Sequence, residues 1–267
     1  DNLIGNVPQA KSLLRFLAAY QKAHSYDFSF GTEASLNLAQ NRELLELFRA
    51  ANFGWVFIGI ESTDPESLKE TLKTQNLAED ILTSIRRIYA HDIDVLGGFI
   101  IGFDNDTLKT FERQYQFITD AGIQSAMIGM LTAMPRTPLY ERLLKEGRID
   151  DSEDSAENTR GRTNVVPKNM TLAAMTEAYR ALYARLLTDA EIARRIRNKI
   201  RYLRAPSYRS GYCAADRLGI VVRLIFKGIL PGGLSRILHF LRTLPVFAPS
   251  RIPLVISDWI IGLSMRD

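Results

Sequence analysis

Four stretches of this 267-residue sequence set polar residues or glycines at the end of an apolar run. They are Thr32-Glu33-Ala34-Ser35, Gly59-Ile60-Glu61-Ser62, Gly97-Gly98-Phe99-Ile100-Ile101-Gly102-Phe103-Asp104, and Leu131-Thr132-Ala133-Met134-Pro135-Arg136-Thr137-Pro138. Glu33 and Glu61 could accept hydrogen bonds from a ligand, and a glycine lets a ligand approach the backbone. Taken singly, each stretch also reads as a helix cap or a turn. Other chemistries find less support. Gly98 and Gly102 are not followed by the Gly-Lys-Ser/Thr of a phosphate loop, and Gly97-Gly98 lacks dinucleotide spacing. His24, His91 and His239 have no metal-ligand spacing, and helix-terminal or solvated roles suit them better. Asp104 and Asp106 are two carboxylates in a turn, too few for a cation site. The single cysteine, Cys213, excludes an internal disulfide and any three-cysteine cluster built from this chain alone.

The elements that must position these stretches alternate. Strands are expected at 26–32, 55–60, 95–102 and 125–131, with helices opening at Pro8 and over 43–51, 77–90 and 107–121. Asn41 stands as a cap for the second helix. Fully apolar strands separated by helices indicate a parallel sheet, doubly wound or curled into a barrel, with its ligands at the carboxyl ends of the strands. All four stretches would then share one rim. Residues 150–170 lose apolar periodicity and read as a linker or substrate loop. From 171 to 267 only helical patterns follow, at 171–187, 190–203, 217–229, 234–244 and 253–263. Pro231-Gly232-Gly233 and later prolines divide them, so no piece reaches the roughly 18 apolar residues of a membrane span.

Hydrophobic residues at 46% and charged residues at 24% exclude a disordered chain. Net charge is only +4, but Arg180 to Arg251 holds 15 Lys or Arg against Asp189, Glu191 and Asp216. A basic, amphipathic region of this kind faces phospholipid, nucleic acid or an acidic domain. The N-terminus shows no basic-then-apolar leader, so a cytoplasmic setting is expected, peripheral to the inner membrane.

The order and wording of the four stretches, with Thr137-Pro138-Leu139-Tyr140 and Glu146-Gly147-Arg148, resemble the radical S-adenosylmethionine (SAM) superfamily. Within it they resemble the cobalamin-binding branch with a helical C-terminal extension, which includes hopanoid methylases. The resemblance covers 1–149. It implies an α/β fold, a partial parallel (β/α) barrel of radical SAM type truncated at its N-terminal strand, followed by an all-helical C-terminal region over 171–267. Asp1-Asn2-Leu3-Ile4-Gly5-Asn6 looks like the remainder of a strand ending at the substrate or cobalamin face. A Cys-x3-Cys-x2-Cys loop for a [4Fe-4S] cluster and a cobalamin domain would precede it. By matched position, Glu33 and Glu61 resemble residues meeting the amino-acid or ribose part of SAM. Gly98, Ile100 and Gly102 resemble the strand that packs on adenine, and Met127 to Met130 would form a neighbouring wall.

The activity so implied is cobalamin-dependent methyl transfer to an unactivated carbon, with SAM, a [4Fe-4S] cluster and cobalamin as cofactors and this chain inactive alone. The tail suggests a lipid-like, isoprenoid or hopanoid-type substrate presented at an anionic membrane through 180–251. A soluble metabolite or RNA is the alternative substrate. RNA is disfavoured because the basic helices show few interleaved aromatics and no recognised RNA module. A cluster-less scaffold or membrane-associated binding module is the reading from another class.

Overall fold

A computed structural model of the chain describes residues 2–64, 67, 81–150, 161–203 and 213–266. After a single 3-10 turn, helix α1 (Val7–His24) opens with Pro8 in its first turn and is capped by Asn6, whose side chain accepts from Gln9 N. Strand β1 follows at Phe30–Glu33, shorter than the 26–32 expected. The apolar signal at its start is used otherwise, since Tyr26 joins Tyr20 and His24 in an aromatic cluster on the end of α1. Helix α2 (Arg42–Ala50) carries the Asn41 cap, with Leu44 N donating to its side chain at 3.1 Å.

The remaining strands match the apolar runs: β2 (Phe53–Glu61), β3 (Asp94–Ile101) and β4 (Ala126–Met130). Helices α3 (Ile81–Ala90) and α4 (Leu108–Ala121) connect them. Residues 77–80 of the third expected helix lie outside the described part. The sheet is parallel in the order β1-β2-β3-β4. Asn2 forms a parallel bridge with Glu33, so the incoming chain runs along the outer side of β1.

Alternation along the strands sorts two faces. Val56, Ile58 and Ile60 of β2, Val95, Phe99 and Ile101 of β3, and Ile128 and Met130 of β4 are buried, forming one core with Leu44, Phe48, Ile85, Ile88 and Ile118 of the helices. The other face carries Gly31 and Glu33, Trp55, Phe57, Gly59 and Glu61, Gly98 and Ile100, and Met127 and Gly129. Small or part-exposed residues there leave it open.

Among the described residues no strand lies beside the outer edge of β4, yet the polar groups of Ile128 on that edge are satisfied. Ile128 N donates to the Tyr183 hydroxyl at 3.0 Å, and Ile128 O accepts from Tyr179 at 2.8 Å and from Tyr183 at 3.1 Å. Both tyrosines come from α6 (Leu172–Leu186), which follows α5 (Pro138–Lys145). Replacing both by phenylalanine leaves a buried N–H and C=O unpaired. Urea unfolding should then show a loss of about 2–3 kcal/mol; a change near zero would mean that water serves the edge equally well.

Residues 161–170 are packed onto the carboxyl end of β4. Asn164 accepts from Ala133 N and donates to Ala133 O, both at 2.9 Å, Thr163 bonds Leu131 O, and Val165 is buried against Ala133 and Leu143. Helix α7 (Asp189–Lys199) then packs against α4 and serves as the hub for the rest of the tail. The tail continues with α8 (Ala214–Arg223), running on as π turns over Leu224–Ile229, then α9 (Gly233–Thr243) and α10 (Ile252–Ser264). Ile192, Ile196, Leu224, Phe240, Val255 and Trp259 make a second core, in which the Trp259 indole N–H donates to the Thr243 hydroxyl at 3.0 Å.

The expectation that no piece of this tail reaches the length of a membrane span is corrected, although Gly233 still marks a division. Helical turns run from Ala214 to Thr243, a 30-residue stretch long and apolar enough to cross a membrane by length and composition. Pro231 is tolerated because it falls in the first turn of a 3-10 segment. Gly233, at φ +70° and ψ −170°, breaks the helical course there, so α9 sets off in a new direction and packs on α7.

A buried ionic cluster pins the tail to the sheet. Lys199, at the end of α7, donates to Asp94 at the start of β3 and to Asp258 of α10, each at 2.9 Å. Burial works against the lysine charge, but the two carboxylates outweigh it and hold Lys199 above its ordinary range. Burial pushes the Asp258 carboxyl up to about 6, against the opposing pull of Lys199 and of the buried Arg195.

Candidate functional site

At the carboxyl-terminal half of the open face lies a pocket of about 290 Å³. Phe57, Gly59 and Glu61 of β2, Gly98 and Ile100 of β3, and Met127 and Gly129 of β4 form its floor, with Tyr183 of α6 and Met265 just past α10 among its walls. The register explains the floor: Gly59 lies beside Gly98, whose partner on β4 is Met127, and Gly129 follows two residues further along the same face, beside Ile100.

These glycines differ in what keeps them bare. A Cβ on Gly98 would come within 2.8 Å of the Phe57 ring, so packing itself demands glycine. A Cβ on Gly129 would meet only the Phe99 carbonyl oxygen, at 4.0 Å, so the space above it is empty. An unfilled floor in an otherwise tightly packed sheet suits a flat ring lying on backbone.

Glu61 closes β2 in the left-handed region, at φ +65°. The ladder with β3 is irregular between Gly59 and Glu61, and Ser62 N donates to Ile60 O at 2.9 Å, so the strand ends in a tight turn that sets the carboxylate on the pocket rim. For a residue with a Cβ this conformation costs on the order of 1 kcal/mol, and such strain gathers where function positions a side chain.

The structure brings Glu61, Gly98 and Ile100 together in this pocket. Glu33 is not among its lining residues; it stands on β1 opposite Phe57, on the same open face. Gly102 is likewise outside the lining. It ends β3 at φ +116°, with Leu131 and Met175 around the place of its missing Cβ. Asn2 caps the opening turn by accepting from Ile4 N at 3.3 Å and bridges Glu33. Asp1 lies outside the described residues. Of the expected methionine wall, Met127 faces the pocket while Met130 is in the core. Gly129, Tyr183 and Met265 were not anticipated.

The two turn aspartates serve the fold. Asp106 is buried and accepts from Gly102 N at 2.8 Å, Phe103 N at 3.0 Å and the Ser67 hydroxyl at 3.0 Å. Asp104 is bound by Arg142 at 2.6 Å and Arg148 at 2.7 Å. Burial would raise its carboxyl, and the two guanidinium groups hold it below the ordinary range. Among the described residues no His, Cys, Asp and Glu gather as a metal site, and Cys213 is exposed at the start of α8. The pocket's bare floor and carboxylate rim therefore fit the adenosyl part of SAM, whereas an iron-sulfur cluster finds no ligand set among these residues.

Residues 137–263 match the model of a domain of unknown function, DUF4070. The chain is 42% identical over 157 residues to the hopanoid C-2 methylase of Rhodopseudomonas palustris, a match covering 58% of this chain and 30% of that protein. It is 38% identical over 167 residues to an uncharacterized methyltransferase of Synechocystis, covering 62% of this chain and 31% of that one. The chain thus matches about three tenths of the length of these relatives. Among solved structures, the radical SAM methyltransferase TsrM of Kitasatospora setae, with cobalamin and a [4Fe-4S] cluster bound, superposes with a TM-score of 0.50 at 16% identity. That match covers 67% of this chain and 36% of TsrM, and at this identity the likeness is one of fold. Over part of its length the chain is thus similar to a hopanoid C-2 methylase and to an uncharacterized methyltransferase, and its four parallel strands and helical C-terminal region share the fold of TsrM.

Proposed function

We propose that this chain forms the SAM-binding part and substrate cover of a cobalamin-dependent radical SAM methyltransferase acting on an unactivated carbon of a lipid-like substrate. The observation that carries the reading is the pocket on the open face, where Gly129 leaves a bare floor next to the Phe57 ring packed on Gly98, beside the strained carboxylate of Glu61. In the complete enzyme a [4Fe-4S] cluster and cobalamin, held outside this chain, supply the radical and methyl-transfer chemistry. The residues here bind and orient. Backbone at Gly129 receives the ring beside Phe57, Glu61 accepts from polar hydrogens of the ribose or amino-acid part, and Met127, Tyr183 and Met265 exclude water.

An isoprenoid or hopanoid-type substrate is supported by the name of the R. palustris relative and by a basic tail bearing exposed apolar side chains. That tail also supports a cytoplasmic enzyme peripheral to an anionic membrane. The test is to extend the polypeptide to the length of its relatives, reconstitute it anaerobically with iron, sulfide and cobalamin, and follow SAM consumption. Cleavage of SAM together with bound corrinoid is the expected result; a protein that retains neither cofactor overturns the reading.

A further inference from the structure

The outer surface of the tail repeats an apolar residue where a soluble helix carries polar ones. Leu218, Val222 and Phe226 stand four residues apart along α8 and its π turns, and all are exposed, Phe226 to 66%. Leu234, 72% exposed, and Leu241 continue the pattern on α9, and the fully exposed Phe247 follows it. The inner faces of these helices are apolar too and are already used, through Leu224, Ile229 and Phe240 in the second core. Of the most apolar 18-residue window in Ala214–Thr243, only 11% is buried. An uncovered stripe of this extent marks an interaction surface.

Charge says what covers it. Between Asp216 and Asp258 there is no acidic residue, while Arg217, Arg223, Lys227, Arg236, Arg242 and Arg251 fall in the same stretch. Arg236 is engaged with Asp189 and with Gly228 O, and Arg251 with Ile200 O; Arg223, Lys227 and Arg242 are exposed beside the stripe. Exposed leucine and phenylalanine in a stretch that is acid-free from Arg217 to Ser257, with Asp216 as the one acid at its start, complement the boundary between anionic headgroups and acyl chains. The break at Gly233 and the packing of the inner faces on α7 and α10 suit helices that lie in that boundary rather than cross it.

We infer that α8, its π turns, α9 and the turn around Phe247 form a docking surface for anionic phospholipid bilayers. This deepens the lipid-substrate reading and rests on it for its purpose, but vesicle binding and SAM cleavage are separate measurements and fail separately.

The experiment is co-sedimentation of the chain with phosphatidylcholine vesicles, with and without phosphatidylglycerol, at low and high salt. A second arm uses the protein extended to the length of its relatives. The expected result is binding to phosphatidylglycerol vesicles that weakens with salt and is far weaker on phosphatidylcholine alone. Phe226→Ser with Phe247→Ser should reduce partitioning about tenfold or more at either salt. Both positions are exposed, so helicity and unfolding midpoint should stay as in the parent. Arg223→Gln with Lys227→Gln should lower binding mainly at low salt.

Absence of binding at low salt overturns the inference, as does binding that the phenylalanine pair does not change. If the chain forms a dimer that the phenylalanine pair dissolves and that excludes vesicles, the stripe belongs to a second copy. If the longer protein, unlike this chain, does not bind, the stripe belongs to the rest of the polypeptide. Retention on vesicles after alkaline carbonate washing would show a crossing helix instead.

Discussion

Lys199→Met should lower unfolding stability by about 3–5 kcal/mol at pH 8, measured by urea titration, because it leaves the half-buried Asp94 and the fully buried Asp258 carboxylates without the cation they share. The loss should be smaller near pH 5, and the sign follows from Asp258. Its folded pKa, about 6 with the lysine present, lies above the carboxylate's ordinary value. Protonation therefore favours the folded state: the stability it brings is fully present below about pH 4 and is lost as pH rises through the folded value. Without Lys199 that value rises further, so at pH 5 the variant can neutralise Asp258 and recover part of the deficit. Adding Asp258→Leu should restore stability at pH 8 as well. An equal loss at both pH values, or one under about 1 kcal/mol, would show that the cluster is not what seats the tail on the sheet.

Gly129→Val should abolish SAM binding while leaving the fold intact. The valine would occupy the empty space over the floor, and a β-branched residue in a strand is intrinsically well tolerated. In the extended, cofactor-loaded protein, equilibrium binding of SAM should weaken about a hundredfold or more, equivalent to roughly 3 kcal/mol, with the unfolding midpoint unchanged. Gly98→Val is the contrasting variant. Its side chain meets the Phe57 ring, so it should lose both SAM binding and stability. If Gly129→Val binds SAM as the parent does, the floor between β3 and β4 is not where the ligand lies.

What the sequence made legible follows the range over which each signal acts. The runs that became β2, β3 and β4 are apolar along their whole length, so period and length alone located them. β1 was misread at its start because an aromatic can serve a strand or a helix end equally, and Tyr26 serves the latter. Glu61, Gly98 and Ile100 were found because a glycine or a carboxylate interrupts an apolar strand and stands out locally. Gly129 lies inside the run from Met127 to Met130 that the resemblance made a neighbouring wall, with nothing local to mark it as floor, while Tyr183 and Met265 arrive from distant helices, a placement that only the folded chain fixes. Lys199 was hidden most completely. In a basic, helical stretch a lysine reads as solvated, and nothing near it in sequence reports that Asp94, 105 residues earlier, and Asp258, 59 residues later, converge on it.

Helix α10 joins two places otherwise treated apart. Asp258 holds it at the amino-terminal end of β3, and seven residues later, about 10 Å along a helix, Met265 stands in the wall of the pocket. The pocket is complete only while that helix is seated. A ligand that touches Met265 thus draws part of its affinity from work already done at the foot of the sheet, and whatever loosens the tail is felt above as weaker binding. The exchange is reciprocal, since by thermodynamic linkage an occupied pocket must tighten the tail by the same amount.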